Sequence, residues 1–162
     1  MKEAIANAGV FNLVILFVII LLAFFIGSLS YSKAFKVKNK IIEEIEKDQG
    51  YTTGVNDSTE ERIEDWMKNI GYRQNVGTVK NTANCESTVS GNGGNDGILI
   101  NKTSDYQYCV YEFDTCTVNS DRAKCGKYYR VIAYMYFDVP VISQLLRLPV
   151  SGETMIFNEI DS

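Results

Sequence analysis

The chain contains no histidine, which removes both the commonest general base and the commonest metal ligand. Its four cysteines, Cys85, Cys109, Cys116 and Cys125, include no C-x-x-C pair, so the spacing of a zinc ribbon or a thioredoxin-like redox site is missing. Cations are also in short supply: 16 Lys and Arg against 20 Asp and Glu give a net charge of −4. A nucleic-acid surface needs clustered basic residues to displace counterions, so no nucleic-acid partner is expected. Nor are paired carboxylates set out as an acid and base would require. Together these absences point away from an enzyme, a cofactor or a metal centre.

What the sequence does hold is an uneven distribution of apolar residues. Of 162 residues 46% are hydrophobic, and Val10–Leu29 is an uncharged run almost wholly made of them. About 20 residues at 1.5 Å each cross the roughly 30 Å hydrocarbon core of a bilayer. The run is long for a signal-peptide core and no clear A-x-A cleavage site follows it, which favours an anchor over a cleaved signal ending near Ser28 or Ser30. Asn12 lies inside the run, either hydrogen-bonding a neighbouring helix or reaching the headgroups.

Orientation is contested between two rules. Lys33, Lys36, Lys38 and Lys40 flank the run on its C-terminal side, and the positive-inside rule places them in the cytoplasm. The even cysteine count in a small Gly- and Asn-rich domain reads as two disulfides, which need an oxidising compartment. The cysteines decide the expectation here, because lysines at the end of a helix can snorkel to the headgroups. The folded part is therefore expected outside the cytoplasm.

The helix is predicted to continue past the membrane. Between Tyr31 and Gly50 there is no Gly or Pro, and Phe35, Ile42 and Ile45 or Ile41 fall on one face at helical spacing. Lys40 and Glu44, and Glu43 and Lys47, are spaced to pair on the other. After a turn-rich stretch over residues 49–58, Ser58 and Glu61 have the spacing of a capping box. The helix they open would bury Ile63, Trp66, Met67 and Ile70, with Gly71 ending it.

Strands follow. Tyr72–Val79 is a weak one, Asn81–Gly97 a polar loop, and Gly97–Asn101, Tyr106–Thr115 and Lys127–Val139 are rich in Tyr, Val, Ile and Phe. In the last of these, Tyr129, Val131, Ala133, Met135 and Phe137 alternate on the face assigned to the core. Tyr128, Arg130, Ile132, Tyr134 and Tyr136 form the other, read as cross-strand packing or as an aromatic ligand platform. The loop Gly91–Gly97 supplies one carboxylate, Asp96, where a calcium loop concentrates several. Residues 141–148 between Pro140 and Pro149 read as a short helix or apolar turn, and Val150–Phe157 as a final strand. Three cysteine pairings are open; Cys85–Cys109 with Cys116–Cys125 is preferred, since it staples a hairpin loop and ties the Gly-rich loop to the sheet. Sequons at Asn56 and Asn101 are discounted as chance matches in an Asn-rich chain.

The expected fold is α+β. A long N-terminal transmembrane helix continues into a small antiparallel sheet domain of about four strands, with one extra helix and two disulfides. Residues 1–9 form a flank or leader, 10–30 the membrane helix, 31–48 its extension and 49–162 the exposed domain.

The run Val10–Leu29, its helical continuation through Ser30–Ile42, the strand Tyr129–Phe137, the Pro-flanked turn and the closing strand Val150–Phe157 resemble type IV pilin-like proteins. They are most similar to TadE-like minor pilins or pseudopilins of tight-adherence pili. The resemblance covers the two ends of the chain and leaves its cysteine-bearing middle unplaced. It implies a structural subunit of a surface filament or its assembly machinery, with the membrane and other pilin-like subunits as partners. Gly9 and Val10 would flank a processing point, and Asn12, Phe35, Ile42 and Ile45 would serve helix assembly. Prepilins typically carry Glu at the fifth residue after the cleavage Gly; Val14 stands there, which suits a minor or uncleaved component. The rival is a membrane-tethered module that binds a surface ligand through its Tyr-rich sheet face or Gly-rich loop.

Overall fold

The computed structural model describes residues 2–54, 56–72, 74, 85–91, 94–102, 104–117, 125–136 and 147–158, with the side chains of 2–8, 117, 136 and 147 left aside. One helix dominates it. The α-helix α1 (Lys2–Asp48) runs 47 residues without a break, about 70 Å at 1.5 Å per residue. Gln49, in the left-handed region at φ 53°, ends it.

The second helix, α2 (Thr59–Asn69), packs on α1. Ser58 is its N-cap, its hydroxyl accepting from the Glu61 N–H at 3.2 Å. The Glu61 carboxylate reaches back to the N–H of Asp57, at 2.8 Å, one residue earlier than in an ordinary capping box. Ile63 and Met67 are buried, while Trp66 and Ile70 pack half-buried at the edge of the same core.

Among the described residues six strands form one antiparallel sheet: β1 (Thr88–Ser90), β2 (Asp96–Leu99), β3 (Tyr108–Asp114), β4 (Gly126–Tyr136), β5 (Arg147–Glu153) and β6 (Phe157–Asn158). The first five lie side by side in chain order, as expected when no helical crossover intervenes. β6 folds back onto the start of β4, pairing Gly126 with Asn158.

The α+β architecture with its long helix and two disulfides is as anticipated, but the strand count is not: six replace about four. β1 lies in what was read as loop, because three residues with one apolar side chain, Val89, are too short a stretch to show alternation; pairing with β2 makes them a strand. The final strand begins earlier, at Arg147, and stops at Glu153. Its Pro149 is accommodated because β5 is an edge strand, where a missing N–H is tolerated. Most of the weak strand 72–79, Phe137 and the stretch 140–146 lie outside the described residues.

Two cores sit on opposite faces of the sheet. On one, Tyr108, Val110, Tyr129, Val131 and Ala133 meet Val37, Ile41 and Ile45 of α1 and Ile63 and Met67 of α2. On the other, Leu99, Cys109, Tyr111, Phe113 and Tyr128 cluster with Ile132 and Tyr134 at their edge. The alternation of β4 therefore divides between two buried faces, as a central strand covered on both sides should.

Candidate functional site

The helix α1 changes character along its length. Beyond Gly27 its inward face is Ala34, Val37, Ile41 and Ile45, each at most 1% exposed, at spacings of three, four and four that keep one stripe on the sheet. Gly152 of β5 permits the close approach: a Cβ there would lie 2.9 Å from Ile42 Cδ1 and from Lys38 Cδ. Between Val10 and Phe25, by contrast, every large apolar side chain is at least 42% exposed, on all faces of the helix. Nothing among the described residues covers them. A helix that is apolar all round belongs in a membrane or in the middle of an assembly. This one is long and apolar enough to cross a bilayer.

The four residues assigned to helix assembly fall into two groups. Asn12 sits in the bare segment, exposed and without a partner among the described residues. Phe35 is 41% exposed, stacked on Tyr31 with ring centroids 6.3 Å apart, and the Lys38 ammonium lies 4.3 Å above its ring. Ile42 and Ile45 instead pack against the chain's own sheet core. Gly9 and Val10 lie within continuous helix, with open space where a Gly9 Cβ would be.

Where α1 leaves the bare segment, α2 clamps it. Lys33 donates to the carbonyl of Gly71 at 2.6 Å. About three turns further along α1, Arg62 of α2 reaches Glu44 at 3.1 Å and also pairs with Asp48 and Asp57. Lys40 adds a second cation to Glu44, at 2.9 Å. The Lys40 hydrogen bond, helped by Arg62, holds the Glu44 carboxyl below its ordinary value, and the Thr59 hydroxyl and Arg62 do the same for Asp48. Partly exposed pairs such as Arg62–Asp48 contribute about 0–1 kcal/mol each, whereas Glu44, 7% exposed, needs both Arg62 and Lys40 to offset its burial. The clamp also accounts for two of the four flanking lysines, Lys33 and Lys40, while Lys38 lies over the Phe35 ring of its own helix. No sequence pattern foretold the Arg62 contacts, because they join residues 14 and 18 positions apart.

Beneath α2 the core carries a buried hydroxyl pair, Tyr51 and Tyr108, 2.8 Å apart. Burial pushes both phenols well above their usual value, and raises Tyr111 and Tyr129 to about 12. Asn101, one of the two sequon asparagines, is fully buried: its amide donates to the Tyr108 carbonyl and accepts from the Val110 N–H, both at 2.8 Å. It is a structural residue that pins the turn before β3.

On the opposite face of the sheet, of the residues read as a ligand platform, Tyr128 is 8% exposed and Arg130, Ile132 and Tyr134 are half-buried, while the side chain of Tyr136 lies outside the described residues. Phe113 stacks on Tyr128 at 4.7 Å, with the Arg130 guanidinium 4.7 Å from the Phe113 ring. The Gly-rich loop packs over the same ring, since a Cβ on Gly91 or Gly97 would come within 3 Å of it. These glycines are there to let the ring in. Disulfides join Cys85 to Cys109 and Cys116 to Cys125, and suit an oxidising, extracytoplasmic compartment. No group of three or more acidic, Cys or His side chains that could hold a metal ion exists among the described residues.

The geometry thus sets one candidate surface apart: the bare half of α1 and the aromatic-cationic collar at its edge. Compared with family models, with curated proteins and with solved structures, the chain finds no match.

Proposed function

We propose that this chain is a membrane-anchored structural subunit, a pilin-like minor component of a surface filament or of the machinery that assembles one. Its role is packing and not catalysis. The observation that carries the reading is the double use of α1: one half is the backbone of a disulfide-bonded domain, and the other is bare and apolar on every side. A bare helix of this kind can exchange lipid for neighbouring helices at little hydrophobic cost, because lipid tails are as apolar as Leu and Ile. Asn12 then supplies a hydrogen bond between helices, and the sheet domain stays outside, its shape fixed by its own two cores.

The test is a photo-reactive residue placed at Leu16 of the full-length chain in its native membranes. Crosslinks from this position to a second copy, or to another single-helix subunit, are the expected result. Asn12→Leu should weaken that association about three- to thirty-fold, the equivalent of an amide hydrogen bond of about 0.6–2 kcal/mol in lipid. Crosslinks to lipid alone at native expression levels would overturn the assembly role and leave a tethered monomer.

A further inference from the structure

The uncharged part of α1 runs from Ala4 to Ser32, 29 residues between Glu3 and Lys33. At 1.5 Å per residue that is about 44 Å of helix, against a hydrocarbon core of about 30 Å. Some nine residues are surplus, and counted from Glu3 they are residues 24–32. The sheet comes down beside this surplus. Met135, near the end of β4, lines an open apolar recess of about 490 Å³ together with Ala23, Phe24, Gly27, Ser28 and Tyr31 of α1. Leu148 of β5 is the cross-strand partner of Met135, so the two side chains share a face, and Leu148 is 47% exposed. The other side of the recess continues along the helix as the Tyr31–Phe35 stack, capped by the Lys38 ammonium. Lys36, one turn beyond Ser32, has no ion-pair partner among the described residues.

Apolar side chains at the bottom, tyrosine and phenylalanine above them, and lysines above those follow the order of a bilayer from acyl chains to headgroups. We infer that the β4–β5 end of the sheet is a second membrane contact, seated in the acyl–headgroup boundary of the leaflet that α1 leaves. Leu148 and the recess, which Met135 helps to line though itself 6% exposed, take lipid chains, and Lys36 faces the phosphates. The occupant is the bilayer itself, because the surface is continuous with the membrane-crossing segment. The domain would then stand in fixed orientation on the membrane, held by a helix and by a foot. This rests on the membrane insertion of α1 proposed above.

The test uses the full-length chain in nanodiscs of phosphatidylglycerol and phosphatidylcholine brominated near the headgroup end of their acyl chains. Single tryptophans are introduced at Leu148, at Leu16 and at Met155. The wild-type chain, whose one tryptophan is Trp66, gives the background to subtract. Met155 lies at the other end of the sheet, its N–H bonded to Glu46. The expected result is that Leu148→Trp loses most of its emission to the brominated lipid while Met155→Trp keeps its own. Leu16→Trp, deeper in the bilayer, reports insertion itself in parallel nanodiscs whose lipids are brominated towards the ends of their acyl chains. Quenching at Leu16 without quenching at Leu148 would overturn the foot and leave the anchor standing; no quenching at either would overturn the insertion as well. An unquenched Leu148→Trp accompanied by two copies per nanodisc would assign the recess to a second chain, and so would also overturn it. Should Leu148→Trp fold poorly, Leu148→Glu serves as the second variant: it should release the contact, and bring a limiting protease to the β4–β5 end in nanodiscs but not change its cleavage in detergent.

Discussion

Breaking the disulfides is the perturbation that probes both the fold and its compartment. Cys85 and Cys109 are 24 residues apart in sequence, and Cys116 and Cys125 are 9 apart. Loop-closure entropy, taken as 2.1 + 1.5R ln n in cal/mol/K, makes the longer bridge worth about 3.5 kcal/mol at 25 °C and the shorter about 2.6 kcal/mol. Packing widens the gap, since Cys109 is fully buried in the second core beside the Tyr134 hydroxyl, whereas Cys116 is only half-buried in a short 3-10 turn. Losing both should cost about 6 kcal/mol, which is the size of the whole stability of many domains. The assay is urea denaturation of the full-length chain in detergent, followed by near-ultraviolet circular dichroism. Oxidised wild type is compared with Cys85→Ala/Cys109→Ala, with Cys116→Ala/Cys125→Ala, and with the reduced chain. The expected order of stability is wild type, then the variant lacking the short bridge, then the variant lacking the long one, then the reduced chain near its unfolding point. A reduced chain within about 1 kcal/mol of the oxidised one, or the two variants in reverse order, would refute the reasoning. It would also remove the physical ground for placing the domain in an oxidising compartment.

Two further outcomes follow from the cores. Gly97→Ala should destabilise the domain by about 1–3 kcal/mol, because the new methyl group enters the space of the Phe113 ring; equal denaturation midpoints would mean that the ring is not seated against the loop. The buried phenols set an alkaline limit. Tyrosine in an unfolded chain ionises near 10, whereas burial holds Tyr111 and Tyr129 up to about 12 and Tyr51 and Tyr108 higher than their usual value. Their contribution is therefore complete below pH 10 and is lost as the pH rises towards 12 and beyond. Ultraviolet titration should show these tyrosines ionising together with loss of the fold, and free ionisation near pH 10 with the fold intact would count against their burial.

The parts of the fold that could be read from sequence are those whose signals are local. The helical continuation past Tyr31 lacked breakers, the Ser58–Glu61 spacing marked a cap, and β4 alternated over its whole length. Phase was harder. Phe35 outweighs Ala34 and Val37 in hydrophobicity, yet Ala34 and Val37 are buried against the sheet and the Phe35 ring is left 41% exposed. β1 was hidden because a three-residue strand is defined by its partner, and the Gly-rich stretch because its role is to accommodate a ring 16 residues on from Gly97. The bare half of α1, as a candidate site, was plain from composition alone. The Met135 recess was not, since a contact between residues more than 100 positions apart leaves no pattern in a single chain.

An uninterrupted helix is also a mechanical part. A pull on the membrane end of α1 passes along its backbone hydrogen bonds into the sheet without meeting a hinge, and it loads the seam of Ala34, Val37, Ile41 and Ile45 lengthwise. In that geometry the four side chains share the load and must slip together, where a sideways pull would unzip them in turn. With Lys33 tied to Gly71 and Arg62 tied to Glu44 and Asp48, the domain turns and tilts with its helix as a flag fixed to a pole.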